Sequence, residues 1–199
     1  IDPMPMDEKQ PDTATTSSTI KTLLAKAAAP VEEATETAEV PAPLEEVAIP
    51  RNENIKELED HWAGNLAGGP TKEESQRIIA NLQATDGYSQ YLDAVRKKVR
   101  QEQGESFTAW RSMSQEQYEA WENGDDLGYF GVTTNERLAL NWRNMVANRG
   151  RDMVVVSFEI SPDLVEMLGN EQESELVIDG NVVSFHRLSA PIYQPTTQA

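Results

Sequence analysis

The sequence predicts an α+β fold in which a helical N-terminal lobe precedes a β-rich core. Apolar residues recur at helical spacing through residues 54–103. Short β-branched and aromatic runs then alternate with capped helical segments through residues 104–194. Residues 1–53 contain no aromatic residue and are rich in Ala, Thr, Glu and Pro, which is typical of a disordered acidic tail. We therefore expect a folded domain over residues 54–194.

Composition excludes several classes of function. The chain has 199 residues, a net charge of -17, no Cys and only two His. Disulfides and Cys-based zinc sites are therefore excluded, and we expect no metal site. No run of about 18 apolar residues and no secretory signal are present, so we expect a soluble, cytoplasmic protein with no membrane partner. The acidity argues against direct nucleic-acid binding, which needs a basic surface.

Two helices are predicted in the N-terminal lobe. Thr71 and Glu74 have the spacing of a capping box, and the residues after them place Ile78, Ile79 and Leu82 on one face. After Gly87, a second helix runs to Gly104. Its apolar face contains Tyr88, Tyr91, Leu92, Val95 and Val99.

Five strands are predicted in the core. They are SFTAWR (106–111), GYFGVTT (128–134), MVVVSFEI (153–160), SELVI (174–178) and VVSFHRL (182–188). The last two flank Asp179-Gly180, a turn signal that predicts a hairpin.

Short helices are predicted between these strands. Capping boxes at Ser114-x-x-Gln117 and Thr133-x-x-Glu136 open two of them. Ser161-Pro162 predicts a third, which ends at Gly169. The predicted order is α-α-β-α-β-α-β-α-β-β.

Polar residues lie where the predicted strands begin or end. Glu171, Glu173 and Glu175 occupy every second position, so an extended chain would place them on one face. Arg111 ends the first strand, and Thr133-Thr134 ends the second. Taken singly, each feature has an ordinary structural interpretation. Arg111 favours a salt bridge, the threonine pair favours a helix cap, and the glutamates favour a solvated strand edge.

Taken in order, four segments carry a resemblance. They are FTAWRSMSQEQYE, YFGVTTNERLALNW, MVVVSFEISP and ESELVIDGNVV. Over residues 104–188 the chain resembles the mono-ADP-ribosyltransferases of the Arg-Ser-Glu type. That resemblance implies an ADP-ribosyltransferase-like fold, with a helical N-terminal lobe followed by a mixed β-sandwich core. It also implies NAD as co-substrate.

The resemblance assigns roles to the two glutamates. Glu175 would stabilise the positive charge that develops on the ribose as nicotinamide leaves. Glu173 would orient the acceptor and take its proton, and a Glu at that position implies an arginine acceptor on a target protein. We therefore expect Glu175 and Glu173 to be the catalytic residues.

The resemblance also implies a binding site for the cofactor. Arg111, followed by the small residue Ser112, would hold the phosphates. Thr133 or Thr134 would support the nicotinamide ribose and the catalytic Glu. The family's Ser-Thr-Ser element reads Val132-Thr133-Thr134 or Thr133-Thr134-Asn135 here, and neither begins with Ser.

Three functions follow as hypotheses. The first is an NAD-dependent, arginine-directed transferase, which suits a bacteriophage or bacterial effector acting on proteins of a host cell. The second is a catalytically inactive binding module with the same fold. The third is an acidic mimic of nucleic acid that blocks a basic partner. The third hypothesis is weakened because 11 of the 34 acidic residues lie in residues 1–53, the predicted disordered tail, and not in the predicted folded domain.

Overall fold

Three helices form the first part of the fold in this computed structural model, which describes residues 44–65, 69–145, 148, 150–183 and 192–193. They are α1 (Glu53–Ala63), α2 (Lys72–Gln83) and α3 (Tyr88–Gln103). Residues 54–103 are thus mainly helical, as their periodicity predicts. Most of the predicted tail lies outside the described residues.

The caps of these helices agree in part with the sequence. The Glu74 N–H donates to Thr71 Oγ1 at 3.3 Å, as the predicted capping box requires. The Glu74 carboxylate, however, pairs with His61 on α1 at 2.6 Å. Before α1, the Asn52 side chain accepts from the Ile55 N–H at 2.9 Å, a cap that the sequence reading did not identify. Between them the three helices bury Ile55, Trp62, Ile78, Ile79, Leu82, Tyr91, Val95 and Val99.

One antiparallel sheet follows the helices. Its strands are β1 (Phe107–Ser114), β2 (Tyr129–Thr133), β3 (Met153–Ile160), β4 (Val165–Leu168), β5 (Glu175–Asp179) and β6 (Ile192–Tyr193). Their spatial order is β4-β5-β2-β1-β3-β6, and every described pairing is antiparallel. The α+β prediction is confirmed. The predicted mixed sandwich is wrong, because the described strands pair into a single antiparallel sheet.

The sheet has two well-paired halves that meet at one residue pair. β1 and β3 are in register from Phe107↔Ile160 to Ser114↔Met153, and β2 and β5 pair along five residues. β1 and β2, in contrast, share only Trp110↔Thr133. The prediction that the first strand ends at Arg111 is wrong, because β1 continues to Ser114. Arg111, within β1, and Thr133, at the end of β2, therefore lie at the junction of the two halves.

Three short helices complete the described fold: α4 (Gln115–Glu122), α5 (Glu136–Arg143) and α6 (Gly180–Val183). The capping box at the start of α4 is confirmed in both directions, between Ser114 and Gln117. The one predicted for α5 is wrong. Asn135 caps that helix, because Thr133 belongs to β2 and its hydroxyl bonds elsewhere.

The helix predicted from Ser161 to Gly169 is mostly a strand. Pro162–Leu164 forms one 3-10 turn, as Pro at the first helical position allows. β4 then begins at Val165 and pairs with β5. Val165, Met167 and Leu168 are all buried against the sheet and helices. Burial of this apolar run therefore outweighs its weak helical signal.

The hairpin predicted at Asp179-Gly180 is also wrong. β5 has β2 on one side and β4 on the other, so no edge is left for a hairpin partner. Gly180 does not have the positive φ that the predicted turn needs, and it begins α6. A Cβ there would meet the Phe130 ring at 2.5 Å, so the glycine permits close packing. The predicted second arm, VVSFHRL, lies mostly outside the described residues.

An aromatic cluster holds the two sheet halves together in the core. The ring centroids of Trp121 and Phe158 are 5.7 Å apart in an edge-on arrangement, and those of Phe130 and Phe158 are 6.3 Å apart. Phe130 comes from one half of the sheet and Phe158 from the other. In the part of the chain described here, no helix has the length and apolar character needed to cross a bilayer.

Candidate functional site

Strand pairing brings most of the predicted site residues together. Glu175 lies opposite Thr133, and Thr133 lies opposite Trp110, the residue before Arg111. The site therefore forms at the junction of the two sheet halves. Its six sequence-predicted members are Arg111 and Ser112 on β1, Thr133 at the end of β2 with Thr134 just after it, Glu173 in the turn before β5, and Glu175 at the start of β5.

Glu175 is a buried carboxylate with two donors. Only 5% of the surface of Glu175 is exposed to solvent. Trp62 Nε1 donates to Oε1 at 3.3 Å, and the Asn170 N–H donates to Oε2 at 3.1 Å. Burial raises the pKa of Glu175, while these two donors and the Arg111 charge oppose that rise. The carboxylate is therefore held in one orientation in a poorly solvated place.

Glycines on either side make room for this carboxylate. A Cβ at Gly131 on β2 would collide with the Glu175 carboxylate, and one at Gly169 would come within 2.9 Å of it. Any other residue at either position would displace Glu175. A glycine inside a strand is a signal of such close approach, so Gly131 could have been recognised from the sequence.

Arg111 supplies the buried positive charge. Its Nη1 donates to the Gly131 carbonyl at 2.9 Å, and its guanidinium carbon lies 4.3 Å from the centroid of the Phe130 ring. Burial lowers the pKa of Arg111 to about 10, and Glu175 opposes the change. Arg111 therefore stays cationic at neutral pH. The neighbouring Ser112 hydroxyl is buried and has no hydrogen-bond partner among the described residues.

Thr133 ties the end of β2 to the segment before Glu175. Its hydroxyl donates to the Glu173 carbonyl at 2.8 Å and accepts from the Asn135 N–H at 3.1 Å. The Thr134 N–H lies 3.3 Å from the Ser174 carbonyl. Of the two predicted alternatives, Thr133 is thus the one whose hydroxyl organises the segment that carries both glutamates.

Glu173 does not share a strand face with Glu175, and that prediction is wrong. Residues 171–173 form a 3-10 turn, and Ser174 follows with φ 50, which interrupts the alternation before β5 begins. The half-buried Glu173 carboxylate instead accepts from Trp142 Nε1 at 3.0 Å. Glu171 is exposed and pairs with Arg51 Nη2 at 2.8 Å. The three glutamates therefore have three different environments.

Two cavities border the site. One of about 220 Å³ is lined by Glu175, Thr134, Glu171 and Lys98, among others. The other, of about 240 Å³, reaches Arg111 and Ser112. Arg151, Gln117 and Asn148 complete its polar lining. A larger cavity of about 730 Å³ at the start of α4 contains none of the six predicted residues.

A second buried polar cluster supports the segment around Glu175. Glu59 on α1 accepts from Arg51 Nε at 2.6 Å and from the Tyr91 hydroxyl. That hydroxyl also accepts from the Leu168 N–H at 3.1 Å, at the end of β4. Burial raises the pKa of Glu59, and the Tyr91 and Arg51 hydrogen bonds oppose it. The sequence reading missed this cluster because its members are far apart in the chain.

Comparison with known proteins adds no relative. No family model, no curated protein and no solved structure matches this chain. The resemblance therefore rests on the four segments, and the functional argument rests on the site itself.

Proposed function

We propose that this protein transfers ADP-ribose from NAD to arginine side chains of target proteins, with release of nicotinamide. The observation that carries the proposal is the meeting of Arg111, Thr133 and Glu175 at the junction of the sheet halves. These residues come from three separate motifs in the order that the resemblance implies. We propose accordingly that the domain has an ADP-ribosyltransferase-like fold in which one antiparallel sheet replaces the sandwich core that the resemblance implied.

The chemistry of the cavity beside Arg111 supports NAD as co-substrate. Arg111 and Arg151 both line the cavity of about 240 Å³, together with Ser112, whose hydroxyl is buried. Such donors fit a diphosphate. At about 240 Å³ this cavity is smaller than the usual pocket for a drug-sized ligand, so only part of a dinucleotide would enter it.

Glu175 is suited to stabilise developing positive charge. NAD supplies a ribosyl carbon whose bond to nicotinamide breaks with an oxocarbenium-like transition state. A carboxylate in a poorly solvated site interacts with such charge more strongly than one in water. The Trp62 and Asn170 donors fix its orientation before reaction. The Arg111 charge helps to keep it ionised.

Glu173 is suited to the acceptor. An arginine side chain is protonated at neutral pH, so it must lose a proton as it attacks. Glu173 is half-buried beside Glu175, and its carboxylate is held by Trp142. It can attract the guanidinium and receive that proton.

The test measures nicotinamide release and ADP-ribose transfer to agmatine with labelled NAD. We expect Glu175→Gln to lower both by at least about 10²-fold while the domain stays folded. Glu173→Gln should lose transfer and keep NAD hydrolysis. Glu159→Gln is the matched control, because Glu159 is an exposed strand residue that bonds only Ser106 among the described residues. A folded wild-type protein that neither cleaves NAD nor transfers ADP-ribose contradicts the proposal.

A binding module without activity is the second candidate. The near-complete burial of Glu175 and its two protein donors favour it, because they leave little of the carboxylate accessible. Calorimetric titration with NAD separates the two functions. Binding without any nicotinamide release supports the module, whereas release supports the transferase.

A further inference from the structure

The two candidate catalytic glutamates have separate indole donors on separate helices. Trp62 on α1 donates its Nε1–H to Glu175 Oε1 at 3.3 Å. Trp142 on α5 donates its Nε1–H to Glu173 Oε2 at 3.0 Å. Both tryptophans are at most 2% exposed, so their rings are fixed by packing. Each carboxylate is therefore held by a rigid group that does not hold the other.

The two carboxylates differ in the number of oxygen atoms that remain available to a ligand. Both oxygens of Glu175 have protein donors, from Trp62 and Asn170. For Glu173, Trp142 holds Oε2, and within the described ranges Oε1 receives no hydrogen bond. The carbonyl of Glu173 is also fixed, by the Thr133 hydroxyl. Glu173 thus has a restrained backbone, one restrained oxygen and one oxygen available to a ligand.

We propose that Trp142 is a positioning residue for acceptor choice, and that Trp62 is a positioning residue for bond cleavage. The Trp142 N–H holds Oε2 of Glu173 so that Oε1 meets the incoming guanidinium. The Trp62 N–H holds Glu175 against the ribose. This inference rests on the proposed transferase function and assigns separate determinants to its two steps.

The bond changes in the transfer step are balanced. The bond between C1′ of the ribose and nicotinamide breaks, and its electron pair leaves with nicotinamide. A guanidinium nitrogen forms the new bond to C1′ and gives one proton to Glu173. In hydrolysis, water takes the place of the guanidinium. A misplaced Glu173 should therefore impair transfer and leave hydrolysis, because only the first requires an oriented guanidinium.

Substitution of each tryptophan by Phe tests this division, because Phe keeps an aromatic ring and removes the N–H. We expect Trp142→Phe to lower the ratio of agmatine transfer to NAD hydrolysis roughly tenfold, the effect of one hydrogen bond to a charged group. Trp62→Phe should lower transfer and hydrolysis together and leave their ratio unchanged. Trp121→Phe is the matched control, because its buried Nε1–H donates to the Gly180 carbonyl, outside the site. It should change neither rate beyond twofold or so.

A spectroscopic measurement tests the contacts without activity. Each indole N–H gives a separate resonance, which its Trp→Phe variant assigns. Glu173→Gln should shift the Trp142 resonance and not that of Trp62, and Glu175→Gln should do the reverse. This arm needs no Trp variant to be active. If Trp142→Phe folds poorly, Phe variants of the other three tryptophans assign their resonances and leave that of Trp142 by elimination.

The outcomes separate this inference from the proposed function. An active wild type in which Trp142→Phe lowers transfer and hydrolysis equally overturns the positioning role and leaves the transferase standing. A Trp142 resonance that is unmoved by Glu173→Gln does the same. A wild type with no NAD cleavage overturns both. A selective loss of transfer, together with the two specific shifts, supports the assignment.

Discussion

Glu175 links the stability of the fold to pH. Burial raises the pKa of Glu175 above its ordinary value. The contacts with Trp62, Asn170 and Arg111 lower this pKa but do not cancel the rise. The folded state therefore binds more protons than the unfolded state between the unfolded and folded pKa values of this group. Its contribution to stability falls as pH rises through that window and is constant above it. A carboxylate placed for catalysis in this way costs stability at neutral pH.

Glu175→Gln should reveal this cost as a pH-dependent difference. The free energy of unfolding of the variant minus that of the wild type should become more positive as pH rises through the window, because Gln does not ionise. The slope is at most about 1.4 kcal/mol per pH unit for one group. Urea denaturation of both proteins over a pH series measures it. A difference that stays flat or falls with rising pH contradicts the burial argument.

At the scale of elements, α1 is joined to the sheet through buried polar groups. Trp62 reaches Glu175 on β5, and Glu59 reaches the end of β4 through the Tyr91 hydroxyl. Both contacts support the chain from the end of β4 to the start of β5, which includes the two glutamates. The position of α1 and the geometry of the site are therefore coupled.

Tyr91→Phe should destabilise the fold by about 1–3 kcal/mol, because it removes partners from the buried Glu59 carboxylate and the Leu168 N–H. Tyr88→Phe is the matched control. The Tyr88 hydroxyl bonds Glu166 in a half-buried place, so its loss should cost less. Urea denaturation of the two variants makes the comparison. Equal losses of stability would contradict the view that the hydrogen bonds of the Tyr91 hydroxyl contribute more than those of the Tyr88 hydroxyl.

At the scale of the whole molecule, the folded part includes residues that the sequence assigns to the tail. Ile49 packs against the core, Arg51 pairs with Glu59, and Asn52 caps α1. Composition alone misplaced them, because residues 44–52 resemble the acidic, aromatic-free segment before them. Their role depends on partners in α1 and in the segment before β5.

Two truncations should separate these residues from the rest of the predicted tail. Removal of residues 1–53 should destabilise the domain more than removal of residues 1–43, by at least about 1 kcal/mol, because the Asn52 cap is lost as well. Thermal or urea denaturation of both truncated proteins measures the difference. Equal stabilities would contradict the contacts of Ile49, Arg51 and Asn52.

The shorter truncation also tests the nucleic-acid mimic. If acidity is the function, removal of residues 1–43 should weaken binding to a basic partner, because these residues contain 8 of the 34 acidic residues and only 3 of the 17 basic ones. ADP-ribose transfer should persist in the same protein if the transferase proposal holds. Weakened binding to a basic partner therefore supports the mimic, whereas unchanged transfer supports the transferase.

Local patterns predicted the parts of the fold that depend on neighbours in sequence. β3 has the predicted bounds, Met153–Ile160, because a continuous β-branched run permits little else. The Ser114 capping box is local and was predicted with both of its bonds. The hairpin at Asp179-Gly180 and the helix before Gly169 were wrong, because pairing of β5 with β2 and β4 overrode their local signals.

The sequence by itself determined the α+β class, most of the helices and strands, and the identity of six candidate site residues. Only the tertiary structure decided how those residues are held. Trp62 is 113 residues from Glu175 and Trp142 is 31 from Glu173, and no local periodicity records either contact. The turn at residues 171–173 likewise separated glutamates that alternation had placed together. Hydrogen bonding of buried carboxylates depends on groups that meet only when the chain has folded.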